Sequence, residues 1–128
     1  MRISHRIFRP ALASLFISVF ATAAVSAQDN YYDGKTIRIV VGAAPGGGYD
    51  NAARLTARHL GKFVPGNPQI VVENMLGASG IKATNYLYEL APKDGTVLAW
   101  MSNSVAAFQA MDQPGVRYKA EELNWIGS

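Results

Sequence analysis

The chain has 128 residues, 49% apolar and 16% charged, with 12 Lys and Arg against 9 Asp and Glu for a formal charge of +3. That length holds one modest domain, well short of the roughly 250 residues of a (β/α)8 barrel, and the apolar content excludes a disordered tail. There is no Cys, which removes disulfide frameworks, thiolate metal sites and cysteine nucleophiles.

The excess positive charge sits at the start of the chain. Arg2, Arg6 and Arg9 fall within residues 1–27, which contain no acid, so 28–128 is formally neutral with nine basic and nine acidic residues. A neutral body without aromatics interleaved among basic residues argues against nucleic acid as a partner. Residues 1–27 carry the three parts of a secretory signal: a basic Met1–Pro10, an apolar Ala11–Ala24, and small residues in Val25-Ser26-Ala27. The apolar run includes Ser14, Ser18 and Thr22 and is shorter than the about 20 residues a membrane span needs. The reading is a signal peptide over 1–27, cleaved after Ala27, and a soluble periplasmic product from 28–128.

In chain order, Thr36–Gly42 is a β-branched run that reads as a strand buried on both faces. Ala43–Tyr49 (AAPGGGY) is a loop. Asn51–Phe63 has Ala53, Ala57 and Leu60 near one face and Arg54, Arg58 and Lys62 on the other, predicting an amphipathic helix with Asp50 as its N-cap. Pro65–Pro68 ends it. The unit then repeats: strand Gln69–Glu73, loop Asn74–Gly80, helix Ala78–Leu90, turn Pro92–Gly95 and strand Thr96–Met101. Ser104 is placed to cap a short helix over Val105–Met111, and Asn124–Gly127 reads as the start of a further strand. The order β-α-β-α-β predicts an α/β fold with a parallel sheet and right-handed crossovers. A chain ending inside a strand is expected to be part of a larger unit.

Both glycine loops follow a strand and precede a helix, the place where open α/β sheets bind ligands. Helix N-termini there present free N–H groups and partial positive charge, an anion site that needs no Arg or Lys. Ala44-Pro45-Gly46-Gly47-Gly48 and Gly77-Ala78-Ser79-Gly80 can offer backbone amides, and Ser79 adds a hydroxyl. The glycine spacing fits no dinucleotide fingerprint. Gly42 and Gly47 have the spacing of a P-loop, but Gly48 and Tyr49 replace its Lys and hydroxyl residue. A small carboxylate remains, against the alternative that PGGG is simply a permissive turn. Asp50 can orient a ligand as well as cap the helix. Asn74 can donate to a carboxylate or hold its loop. Ser102 and Asn103 follow the third strand and can face a ligand or cap a helix. His59 has no partners for metal or triad chemistry. Tyr86, Tyr88, Trp100 and Trp125 are expected in the core or against a further lobe. No cofactor or metal is expected.

Taken in order, Ile37–Val41, Ala44-Pro45-Gly46-Gly47-Gly48-Tyr49-Asp50, Arg54, Val71-Val72-Glu73-Asn74, Gly77-Ala78-Ser79-Gly80, Asp94-Gly95-Thr96 and the Tyr118…Leu123 tail resemble the substrate-binding proteins of tripartite tricarboxylate transporters, the TctC or Bug family. The resemblance covers essentially all of 35–128. It implies a two-lobed periplasmic binding protein of type II-like architecture. Such a protein closes on a small organic carboxylate, di- or tricarboxylate-like, and passes it to separate membrane permease subunits. The loops after the first two strands would hold the carboxyl group by backbone amides, partly through ordered water. Family members are well over twice this length, so 28–128 would be part of the N-terminal lobe, with the C-terminal lobe missing. Tyr49 stands where the family often has a small hydroxyl residue, Ser79 where Gly is common, and Ile81 where Asn is frequent. Competing readings are a secreted α/β hydrolase with Ser79 or Ser102 as nucleophile, although no G-x-S-x-G elbow is present, and a truncated remnant that binds nothing.

Overall fold

The computed structural model describes residues 31–127. The expected export signal, residues 1–27, lies outside them. Three strands form one parallel sheet: β1 (Thr36–Val41), β2 (Gln69–Asn74) and β3 (Val97–Trp100), in the order β2-β1-β3. Thr36 pairs with Gln69 and Val41 with Asn74 on one side; Arg38 pairs with Val97 and Val41 with Trp100 on the other. The three strands therefore end level with one another, at Val41, Asn74 and Trp100.

β1 is the central strand, which is why its run of branched residues is apolar on both faces. Ile39 and Val41 turn to one face and meet Ala53 and Ala57 of helix α1 (Gly48–Leu60), with Ile70, Val72, Leu98 and Trp100 alongside. Val40 turns to the other face and meets Ala83 of helix α2 (Ile81–Glu89), with Ala91, Val97 and Leu87. Ile39, Val40, Val41, Ala53 and Ala83 are all at most 2% exposed. The strand order explains the two faces. β1 crosses to β2 in one direction and β2 crosses back past β1 to β3 in the other. Right-handed connections then put α1 and α2 on opposite sides of the sheet. The expected α/β architecture with a parallel sheet is the observed one.

A smaller cluster adjoins α2. Ile81 packs with Val105 of helix α3 (Val105–Ala110), Tyr118 and Ala120, and the buried Tyr118 hydroxyl donates to the Val105 carbonyl at 2.9 Å. No helix among the described residues is long and apolar enough to cross a membrane.

Four local expectations need correction. Asn124–Gly127 is not a strand: these residues are exposed and unpaired, and Trp125 is turned back so that its indole N–H donates to the Ala120 carbonyl at 2.9 Å. The first helix starts at Gly48, not Asn51, with Gly47 at the N-cap and no side-chain cap. Asp50 is therefore inside the first turn. The second helix starts at Ile81, because Ala78–Gly80 form a separate 3-10 turn. Ser104 does hold the N-cap position of α3, but its side chain caps nothing. Instead the Ser104 N–H donates to the Ser102 hydroxyl at 3.2 Å.

Candidate functional site

Because the strands end level, the loops that follow them converge on one edge of the sheet. β1 runs into Gly42, Ala43 and Ala44; β2 into Met75, Leu76 and Gly77; β3 into Met101 and Ser102. An open crevice of about 380 Å3 lies between them, lined by Gly42, Ala43, Ala44, Tyr49, Leu76, Gly77, Ser79, Trp100 and Ser102. This is the carboxyl edge of the sheet at the strand where the winding direction reverses, the point at which such sheets take their ligands.

A polar knot centred on the buried Asp50 ties the first two loops together. The Asp50 side chain is 2% exposed. One of its oxygens accepts the Gly46 N–H at 2.8 Å and the Arg54 Nε at 2.9 Å. The other accepts the Asn74 side-chain amide at 2.8 Å. The same amide donates to the Ala43 carbonyl at 3.0 Å, and Arg54 closes the ring by donating to the Asn74 Oδ1 at 3.1 Å. A carboxylate with this many donors is held ionised: the Arg54 guanidinium, then the Gly46 N–H, then Asn74, bring its pKa down to about 2 against the opposing effect of burial. The charge-assisted bond to Asp50 in turn raises the pKa of Arg54. Asp50 thus reaches back from the first helical turn to the residue before the N-cap, which a reading of N-cap preferences alone does not reveal.

The second loop is held by shape. A Cβ on Gly42 would stand 3.0 Å from the Gly80 Cα, so the end of β1 and the start of α2 touch through backbone alone. Gly77, Ala78, Ser79 and Gly80 then take φ of 149°, 45°, 53° and 97° in succession. Glycine adopts such values freely, whereas Ala and Ser do so at a cost of roughly 1–2 kcal/mol each. Strain of this kind gathers at ligand sites. The turn leaves the N–H groups of Ala78 and Ser79 without a protein acceptor among the described residues, as the start of α1 does those of Gly48 and Tyr49.

The structure sorts the residues singled out from the sequence. Ala44, Gly77, Ser79 and Ser102 line the crevice. Pro45, Gly46, Gly47 and Gly48 form an exposed rim, as does Ala78 beside Ser79. Asp50, Asn74 and Gly80 lie beneath, engaged with the protein itself. Asn103 is exposed and outside the lining. Sequence reasoning missed the Arg54 bonds to Asp50 and Asn74. It also missed Leu76 and Trp100 in the wall, although the level ends of β2 and β3 were implied by the pattern.

These features are those of an α/β domain with a three-stranded parallel sheet and a crevice at the strand ends, consistent with one lobe of a periplasmic binding protein. Comparison with known proteins narrows this. No family model matches the chain. It is 37% identical over 120 residues to the UPF0065 protein of the TAR-I ttuE-ttuC′ intergenic region of Agrobacterium vitis, an alignment covering 89% of this chain and 33% of that protein. It is 32% identical over 112 residues to protein BugT of Bordetella pertussis, covering 88% and 33%. The chain is a distant homologue of the UPF0065/Bug family and spans about a third of the length of the curated relatives it matches.

Proposed function

We propose that the chain is the N-terminal part of a periplasmic solute-binding protein that captures a small organic carboxylate and hands it to the permease subunits of a tripartite tricarboxylate-type transporter. The observation that carries this reading is the crevice itself. Unengaged amides from the start of α1 and from the Ala78–Gly80 turn, with the hydroxyls of Ser79 and Ser102, lie about a space lined by no charged side chain. Oriented amides and helix dipoles suit a carboxylate without a permanent counter-charge. Under this reading Ala44, Gly47, Gly48, Gly77, Ala78, Ser79 and Ser102 form the carboxylate-binding edge, with Pro45, Gly46, Gly80 and Asn103 around it. Asp50 and Asn74 hold the loops in register. The crevice is open, so a second lobe supplied by the remaining two thirds of the relatives' length would enclose the ligand. Residues 1–27 direct export, and no bond is made or broken in the bound acid.

Isothermal titration of the chain against mono-, di- and tricarboxylates, with the matching amides as controls, tests the reading. Saturable heat with acids, none with amides, and recovery of the acid unchanged are the expected outcome. Heat with no acid, or consumption of one, overturns it.

A further inference from the structure

The wall of the crevice says more than its amides. Tyr49 stands on the first turn of α1, Leu76 on the loop after β2 and Trp100 at the end of β3, so each loop group contributes one large apolar side chain to the same space. Tyr49 is 38% and Leu76 52% exposed, and neither is needed to fill the core clusters. Apart from backbone, the polar groups of the lining are the hydroxyls of Ser79, Ser102 and Tyr49 and the Trp100 indole N–H; none is charged. This set satisfies one carboxylate. A second carboxylate among Tyr49, Leu76 and Trp100 would meet only the neutral Tyr49 hydroxyl and Trp100 indole N–H, with no positive charge among the lining residues to offset its lost hydration. A planar ring in the same place gains apolar burial and aromatic stacking.

We propose that Tyr49, Leu76 and Trp100 determine specificity, and that they select a monocarboxylate with an aromatic body over a di- or tricarboxylate. This rests on the carboxylate reading above and narrows it. A crevice of about 380 Å3 lies within the range of small-molecule sites and has room for a ring with a short acid side chain.

The test uses the purified full chain and the probes phenylacetate, succinate, citrate and benzyl alcohol. The protein has two Trp; Trp125 lies outside the crevice, so Trp125→Phe leaves Trp100 as the reporter. Quenching of Trp100 emission and saturation-transfer NMR both read the affinity. Phenylacetate is expected to bind about tenfold more tightly than succinate or citrate, the scale of one buried aromatic contact. Tyr49→Ser, at an exposed position, is expected to remove most of that preference. Succinate or citrate binding as tightly as phenylacetate overturns the specificity and leaves the carboxylate reading standing. Benzyl alcohol matching phenylacetate overturns the carboxylate reading, and with it the proposal. Saturation by none of the four overturns both. A Tyr49→Ser protein that keeps its fold and its full preference removes Tyr49 from the assignment.

Discussion

The side-chain amide of Asn74, the last residue of β2, donates to the carboxylate of Asp50, in the first turn of α1, at 2.8 Å. This bond is one of several that tie the start of α1 and the loop after β1 to the end of β2. Asn74 also holds the Ala43 carbonyl, so its amide spans both. Asn74→Ala leaves two acceptors without their donor and is expected to cost about 1–2 kcal/mol. Asn74→Asp is nearly isosteric but places a second carboxylate beside Asp50, and two such groups cannot both ionise without penalty. Its loss of stability should be larger at neutral pH than near pH ~4, the reverse of an ordinary acid titration. Urea unfolding at the two pH values decides the matter, and equal losses at both would break the argument.

Acid should act on the same knot. The pKa of Asp50 is lowered from 3.8 to about 2, first by Arg54, then by Gly46 and Asn74. The native state therefore binds this proton more weakly than the unfolded chain. The stabilisation is complete above the unfolded value and disappears as pH falls from about 4 through about 2. Asp94, held by Thr96, and Glu121 and Glu122, held by Gln109 and Lys119, have lowered pKa values too, so acid unfolding of the whole protein is a composite. Asp50→Asn isolates the contribution. The gap in urea midpoint between the parent and Asp50→Asn should be widest near neutral pH and close across that window. A gap that stays constant would show that the carboxylate charge is not what the knot uses.

Backbone contact fixes the other side of the site. Gly42→Ala puts a methyl 3.0 Å from the Gly80 Cα and 3.5 Å from the Ala83 Cβ, and neither neighbour has a flexible end that can yield. Destabilisation by about 1–3 kcal/mol is expected, the usual cost of overpacking, or a fall in Tm of roughly 4–8 °C per kcal/mol for a domain of this size. Phenylacetate affinity should fall as well, since the loop carrying Leu76 and Gly77 must move off β1. An unchanged Tm would show that the contact has slack.

The parts of this architecture that follow from periodicity were legible in the sequence. The branched run of β1, the alternation of strands with helices and the two glycine loops led to a parallel sheet with those loops at the strand ends. Hydrogen-bond geometry was less legible. Asp50 has the right residue type for an N-cap, but three glycines before it let the helix begin earlier, and the carboxylate then reaches back instead of capping. Arg54 reads as solvated on the helix face, and only the packing of α1 against β2 brings it to Asn74. Asn124–Gly127 has strand-like residues, yet the turn at Ala120 captures the Trp125 indole and the segment pairs with nothing. Apolar patterning reports which face is buried; it does not report which polar group finds which partner.

Ser79 tests whether the strain in the second loop serves binding. It sits at φ 53° and ψ 33° next to Ala78 at φ 45°, a left-handed pair that glycine would form without steric conflict. Ser79→Gly removes roughly 1–2 kcal/mol of strain and returns about 0.4–1 kcal/mol through the greater freedom of the unfolded chain. A net stabilisation of up to about 1.5 kcal/mol is expected. The same change deletes a hydroxyl from the crevice lining, which should weaken phenylacetate binding by about five- to tenfold, the worth of one hydrogen bond. Ala78→Gly relieves the same strain with the Ser79 hydroxyl in place and should lose less affinity. Thermal unfolding and Trp100 quenching on the two variants separate the effects. If Ser79→Gly is less stable than the parent, the left-handed turn is not strained. If both variants lose affinity equally, loop rigidity and not the hydroxyl is what the ligand requires.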